Sequence, residues 1–160
     1  MAAPVKNSAD LTIFQSALRA GRLGPYAYVA LLGLRQYDPL TIDAHVRKGF
    51  AYSAFERFAK NVELPAVRLA ELTGIPARTL ARRKEEGRLA PEESDRLARV
   101  SRLFARALEL FEGDTVGARD WLSRPQSALG QRIPIELAAT DIGAQEVERL
   151  VGRLEYGIPT

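Results

Sequence analysis

The chain has 160 residues and a formal net charge of +3, and it contains no cysteine. This length suffices to bury a hydrophobic core without cross-links, as one large domain or two small ones. Without cysteine it can form neither a disulfide nor a thiolate metal site, which fits a reducing cytoplasm. No apolar run approaches the length of a membrane span, and the N-terminus lacks a signal-peptide pattern. We therefore expect a soluble, cytoplasmic protein with no membrane partner.

Charged residues are unevenly distributed along the chain. Residues 1–64 carry 8 basic and 5 acidic side chains, residues 65–110 carry 10 and 7, and residues 111–160 carry 5 and 8. The first two parts are thus each +3 and the last is −3. A chain that is basic toward its middle and acidic at its end suggests two different partners.

The first 50 residues predict an N-terminal segment that is helical and partly disordered. Residues 1–9 are small and polar, and we expect them to be disordered. A helical pattern follows from about Asp10, and the apolar run from Ala27 to Leu34 favours a second helix. Asp38-Pro39 then supplies an N-cap carboxylate followed by proline at the first helical position.

Residues 51–112 predict a DNA-binding domain with a long following helix. Ser53-Ala-Phe-Glu56 matches a capping box and predicts the start of a bracing helix. Beyond it, two short helices are expected around a tight turn at Gly74, where a positive φ is easiest for glycine. The small Ala70 lies four residues before this glycine, and the apolar Leu80 lies six residues after it. This is the spacing of a helix-turn-helix.

The second helix of this unit is strongly basic, and we expect it to contact DNA. The candidate DNA-binding residues are Arg78, Thr79, Arg82, Arg83, Lys84 and Arg88. Long cationic donors suit guanine edges and phosphates, and binding releases counterions. A helical hairpin with a solvated basic face is the alternative interpretation. Arg83 stands out because many such helices carry a second apolar anchor there.

A long helix is predicted from Pro91, where two glutamates follow the proline, to about Glu112. One of its faces is apolar at helical spacing. The residues of this stripe are Leu97, Val100, Leu103, Phe104, Ala107, Leu108 and Phe111. A recurrence at three and four is typical of a packed helix, so a core role is the first interpretation and a homodimer seam is the alternative.

Residues 113–160 predict a second small helical domain. Asp114, Pro134 and Thr140 each predict a helix start, and Gly157 ends the last helix. Alternation at period two is absent from the whole sequence, so we predict an all-α protein.

The sequence offers no catalytic constellation. His45 is the only histidine, and a phosphate-binding glycine loop, a nucleophile motif and a cluster of metal ligands are all absent. Glu85-Glu86 and Glu92-Glu93 are sequence neighbours at helix ends and do not converge on one point. We predict no catalytic residue, no metal site, no cofactor and no enzymatic activity.

Short motifs follow one another in a specific order from Leu64 onward. They are Gly74-Ile75, Thr79-Leu-Ala-Arg-Arg83, Leu89-Ala-Pro-Glu-Glu-Ser94, Trp121-Leu122, Ala128-Leu129-Gly130, Pro134-Ile-Glu-Leu137 and Gly152-Arg153-Leu154-Glu155-Tyr156-Gly157. In this order and spacing they resemble the Xre/MbcA/ParS family of antitoxins, which partner RES-domain toxins. Ala90 departs from the pattern, which has serine as N-cap there, so we expect fraying at this helix start.

The resemblance implies a Xre/Cro-like helix-turn-helix domain followed by a small helical toxin-binding domain. It implies that the first binds promoter DNA of its own operon. The second would bind a RES toxin that destroys NAD, with the end of the chain blocking the toxin's substrate entrance. The candidate toxin-binding residues are Trp121, Leu122, Arg153, Tyr156, Gly157, Ile158, Pro159 and Thr160. Trp121 and Leu122 could instead belong to the core of this domain.

Two other interpretations remain open at the level of sequence. One is a dimeric helix-turn-helix transcription regulator whose C-terminal domain only dimerises or senses a small molecule. The other is a scaffold protein with a vestigial helix-turn-helix, which would show no salt-dependent DNA affinity. In the antitoxin interpretation we also expect a homodimer.

Overall fold

The computed structural model describes residues 8–159, which form eight α-helices and three 3₁₀ helices. The α-helices are α1 (Ala9–Arg19), α2 (Pro39–Lys48), α3 (Tyr52–Asn61), α4 (Ala66–Leu72), α5 (Ala77–Glu86), α6 (Pro91–Leu110), α7 (Thr115–Leu122) and α8 (Asp141–Glu155). The 3₁₀ helices span Ala27–Leu32, Ser127–Leu129 and Pro134–Ala139. Within the described residues there are isolated β-bridges but no strand. The predicted all-α fold is confirmed.

Helix α6 lies at the centre of the molecule. It packs against α2, α7, α8 and the first and third 3₁₀ helices. Its apolar stripe is turned inward, with Val100, Leu103 and Leu108 fully buried. The core interpretation of the stripe is therefore correct, and these side chains are unavailable for a homodimer seam.

The N-terminal segment contributes to the same core. The run that begins at Ala27 forms a 3₁₀ helix rather than an α-helix, with Val29 and Leu31 fully buried against α6 and α1. The disorder expected for residues 1–9 mostly concerns residues 1–7, which lie outside the described part. Ala9 itself begins α1.

A buried carboxylate ties α1 to α3. Asp10, only 3% exposed, accepts hydrogen bonds from Arg57 Nη2 at 2.6 Å and from Asn61 Nδ2 at 3.1 Å. Arg57 Nε and Arg35 Nη2 donate two more, at 3.0 and 2.6 Å. Burial would raise the pKa of Asp10, but hydrogen bonds from Arg57, Asn61 and Arg35 outweigh it and lower that pKa.

Several predicted helix starts are confirmed. Asp38 accepts from the Thr41 N–H at 2.9 Å, and Thr140 accepts from the Gly143 N–H at 3.1 Å, as N-cap side chains do. Asp114 occupies the N-cap position of α7, although its side chain makes no capping hydrogen bond.

Two other expectations about helix starts are wrong. Helix α3 begins at Tyr52, one residue before the predicted capping box, because the Tyr52 N–H donates to the distant Gly87 carbonyl at 2.9 Å. The expected fraying at Ala90 is also not seen. Here the Glu93 carboxylate accepts from the Ala90 N–H at 2.8 Å and fixes the start of α6 without a serine.

Candidate functional surfaces

Helices α4 and α5 meet at the predicted tight turn. Gly74 has φ +68°, in the left-handed region, and its N–H donates to the Glu71 carbonyl at 3.1 Å. The Ile75 N–H donates to the Ala70 carbonyl at 2.8 Å, which completes a Schellman motif at the end of α4. The Ile75 side chain is buried in the corner between the helices. The chain therefore has the local geometry of a helix-turn-helix, with α5 as its second helix.

The predicted arginine pair lies on the outer face of α5. Arg78 and Arg82 are both exposed and one helical turn apart. Arg82 makes a long contact to Glu86, with 3.7 Å between Nε and Oε1. Lys84 is exposed as well, while Thr79 is half-buried. Long cationic donors are thus presented together on one accessible face.

Arg83 and Arg88 donate hydrogen bonds within the protein, although Arg88 remains exposed. Arg83 has a side chain only 18% exposed, and its Nε donates to the Glu93 carboxylate at 2.8 Å. Arg88 Nη1 donates to the Gly49 carbonyl at 2.7 Å. The ion pair occupies the place where an apolar anchor was expected and joins α5 to α6. We therefore assign Arg83 a positioning role and do not retain it as a DNA contact.

The ion pair also changes the pKa of Glu93. Glu93 is buried, which by itself would raise its pKa. Hydrogen bonds from Arg83 and from the Ala90 N–H outweigh burial, so the pKa of the Glu93 carboxyl is lowered. The charged form of Glu93 is therefore the one that the fold stabilises.

An apolar groove of about 630 Å³ lies between α4 and α5. Ala77, Leu80 and Ala81 line it from α5, and Val67 lines it from α4. The sequence gives no clear signal for this groove, because the same apolar residues fit a helix packed inward. Ala77 and Ala81 immediately precede Arg78 and Arg82 in the sequence. Helix α5 therefore presents both polar donors and small apolar groups.

The two candidate docking residues of α7 have different environments. Trp121 is half-buried, with its ring centroid 6.5 Å from that of Phe111. Leu122 is fully buried in the core. The prediction that Leu122 contacts a partner is therefore wrong, because its side chain does not reach the surface. Only Trp121 remains a candidate.

Helix α8 also ends in a Schellman motif. Gly157 has φ +66°, and its N–H donates to the Leu154 carbonyl at 3.3 Å. The Ile158 N–H donates to the Arg153 carbonyl at 2.8 Å. These bonds fix the direction in which the chain leaves the helix.

The residues after α8 are accessible. Tyr156 is 83% exposed and Ile158 is 51% exposed. Gly157 and Pro159 are exposed as well, whereas Thr160 lies outside the described residues. Residues 156–159 are thus accessible to solvent.

The remaining surface carries few other functional signals. His45 is exposed on α2. Of the helices in residues 8–159, none has the length and apolar character that crossing a bilayer requires.

The fold thus defines a helix-turn-helix protein with a second helical module after it. Comparison with known families assigns both modules. The antitoxin Xre-like helix-turn-helix domain matches residues 41–102, and the antitoxin Xre/MbcA/ParS C-terminal toxin-binding domain matches residues 106–157. The first match begins earlier than the motifs recognised from sequence and includes α2.

Relatives agree with these matches. The chain is 40% identical over 114 residues to an antitoxin Xre of Yersinia enterocolitica, covering 71% of this chain and 77% of the relative. It is 37% identical over 91 residues to an antitoxin Xre of Photorhabdus laumondii, covering 56% and 62%. It is 30% identical over 117 residues to an antitoxin Xre of Pseudomonas putida, covering 72% of each.

The chain belongs to the Xre/MbcA/ParS antitoxin family. It is therefore a binding protein and not an enzyme, and its toxin-binding domain implies a toxin partner.

Proposed function

We propose that the partner is a RES-domain toxin that destroys NAD, and that the end of this chain blocks the toxin's substrate entrance. The observation that carries the proposal is the exposed segment after α8. An exposed tyrosine, a left-handed glycine and two exposed apolar residues follow the helix. Burial of exposed apolar surface of this kind by a partner lowers the free energy of the complex.

The geometry of the segment supports insertion into a pocket. The Schellman bonds at Gly157 hold the start of the segment in one direction, which lowers the entropy lost on binding. A pocket that admits a dinucleotide has room for an aromatic ring and for extended chain. Tyr156, Ile158 and Pro159 are suited to fill it, while Trp121 and Arg153 lie in the same domain as candidate contacts outside the pocket.

We also propose that α5 binds promoter DNA in the major groove. Arg78 and Arg82 are suited to guanine edges, and Lys84 and Arg88 to phosphates. Ala77 and Ala81 are small enough to contact thymine methyl groups next to the bases that the two arginines contact. Helix-turn-helix proteins bind paired half-sites as dimers, so binding by two copies is part of the proposal.

The inhibition of purified toxin tests the proposed function. RES toxin would be incubated with NAD and increasing amounts of either the full chain or a variant that lacks Tyr156–Thr160. We expect the full chain to stop NAD loss. The shortened chain should still bind the toxin through its folded domain but leave NAD consumption almost unchanged.

Two results would overturn the proposal. Equal inhibition by the full and the shortened chain would exclude occlusion by the tail. Failure of the full chain to bind or inhibit the RES toxin would favour a transcription regulator without this partner.

A further inference from the structure

Gly152 lies inside α8 at a position where the fold gives no reason for glycine. Its φ is not among the positive values of the chain, and a Cβ added there would meet nothing within 4 Å. Gly143 in the same helix is different, because its added Cβ would lie 2.3 Å from the Leu137 carbonyl oxygen. Glycine within a helix costs about 1 kcal/mol relative to alanine. Gly152 therefore lowers the stability of α8 without relieving any contact in this chain.

The position of Gly152 is on the outer face of the helix. The inner face is formed by Ala144, Val147, Leu150 and Val151, which are buried. Ile142, Arg149 and Tyr156 recur every seven residues on the opposite side, and Gly152 lies one turn before Tyr156. Ile142 is 72% exposed and Tyr156 is 83% exposed. Two large apolar side chains thus mark the ends of a face whose middle contains the glycine.

Arg153, which follows Gly152 in α8, has one side-chain nitrogen without a hydrogen bond within the described part of the chain. Among residues 8–159, no hydrogen-bond partner is present for the buried Nε of Arg153. Buried donors are normally satisfied. Because protein atoms cover this nitrogen, a partner could reach it only after the Arg153 side chain had moved.

We propose that the outer face of α8, from Ile142 to Tyr156, is a docking surface on which the toxin's backbone packs closely against Gly152. Glycine permits an approach that any Cβ would block. The occupant is the toxin, because α8 lies within the region that matches the toxin-binding domain and leads directly into the segment proposed to enter the toxin's pocket. The inference rests on the proposed function and extends it from the tail to the whole helix.

Substitutions at Gly152 separate docking from stability. Gly152→Ala should raise the melting temperature by about 2–4 °C, because alanine favours the helix. The same change should weaken toxin binding, and Gly152→Leu should weaken it further, by about tenfold or more. Ala44→Leu, on an exposed position of α2, is the matched control and should leave the affinity unchanged.

The measurement is calorimetric titration of each antitoxin variant with RES toxin whose active site has been inactivated by mutation. Wild-type affinity for Gly152→Leu would overturn the inference and leave the proposed function intact. Equal losses for alanine and leucine would indicate that Gly152 acts as a hinge and would also overturn it. A change confined to the self-association of the antitoxin, followed by analytical ultracentrifugation, would assign the face to a second copy. Absence of toxin binding by the wild-type chain would remove the proposed function as well.

Discussion

Single residues determine how α5 is held. Arg83 and Glu93 form an ion pair between α5 and α6, whereas Arg82 on the same helix contacts Glu86 at the surface. Removing the partner of a buried charge is far more costly than removing one half of an exposed pair.

Arg83→Ala should therefore lower the free energy of unfolding by about 2 kcal/mol, since Glu93 is left buried without its counterion. Arg82→Ala, the matched control, should change it by less than about 0.5 kcal/mol. Urea denaturation followed by circular dichroism measures both. Equal effects of the two substitutions would contradict the positioning role of Arg83.

The buried carboxylates make stability depend on acid pH. Asp10 and Glu93 both have a pKa lowered in the folded state. Their stabilisation is present above the ordinary carboxyl pKa and is lost as the pH falls through the lowered values. Burial raises the pKa of Glu109, which acts in the opposite direction and offsets part of this loss.

The melting temperature should accordingly not fall between neutral pH and about pH 5, where protonation of Glu109 adds stability, and should fall below about pH 4. Asp10→Asn should reduce both the stability at neutral pH and the steepness of the acid fall. Differential scanning fluorimetry across this range gives the comparison. A profile that stays level to about pH 3 would show that neither carboxylate is stabilised in its charged form.

At the scale of helices and their ends, Gly157 fixes the direction of the segment after α8. Alanine at φ +66° would be strained by about 1–2 kcal/mol. Gly157→Ala should redirect the segment and weaken toxin inhibition several-fold. Gly21→Ala is the matched control, because Gly21 has the same φ and equally open surroundings but ends α1. Comparable loss of toxin inhibition in both variants would show that general destabilisation, and not tail direction, causes the effect.

Helix ends and turns differ in how far the sequence could predict them. Capping by Asp38 and Thr140 and the left-handed turn at Gly74 depend on residues within a few positions, so local pattern was sufficient. The start of α3 at Tyr52 depends on the carbonyl of Gly87, which is 35 residues away and is brought near only by the fold.

The candidate surfaces likewise combine features set by neighbouring residues and features set by packing in the fold. Helical spacing places Arg78 and Arg82 on one outer face, as the structure has them. Spacing cannot distinguish Leu122 from Trp121, because burial is decided by what packs against α7. Nor could it reveal that Arg83 faces Glu93, since that pairing requires α5 and α6 to be docked.

At the scale of the whole molecule, one hydrophobic core joins the segments that the sequence separates. It extends from Leu11 and Phe14 in α1 to Val147 and Val151 in α8. Arg78 and Arg82 nevertheless lie on α5, while the exposed tail follows α8. We propose that two surfaces of this one folded unit act independently, one on promoter DNA and one on the toxin.

The most direct test measures both activities in one cell. A strain would carry an inducible RES toxin and a reporter driven by the antitoxin's own promoter, and would express one antitoxin variant at a time. Arg78→Ala with Arg82→Ala should weaken promoter binding by about 1–3 kcal/mol for each lost base contact and so release the reporter. The same double variant should still protect growth. Deletion of Tyr156–Thr160 should keep the reporter repressed and fail to protect growth. Loss of both activities in either variant, at wild-type protein levels, would contradict the account.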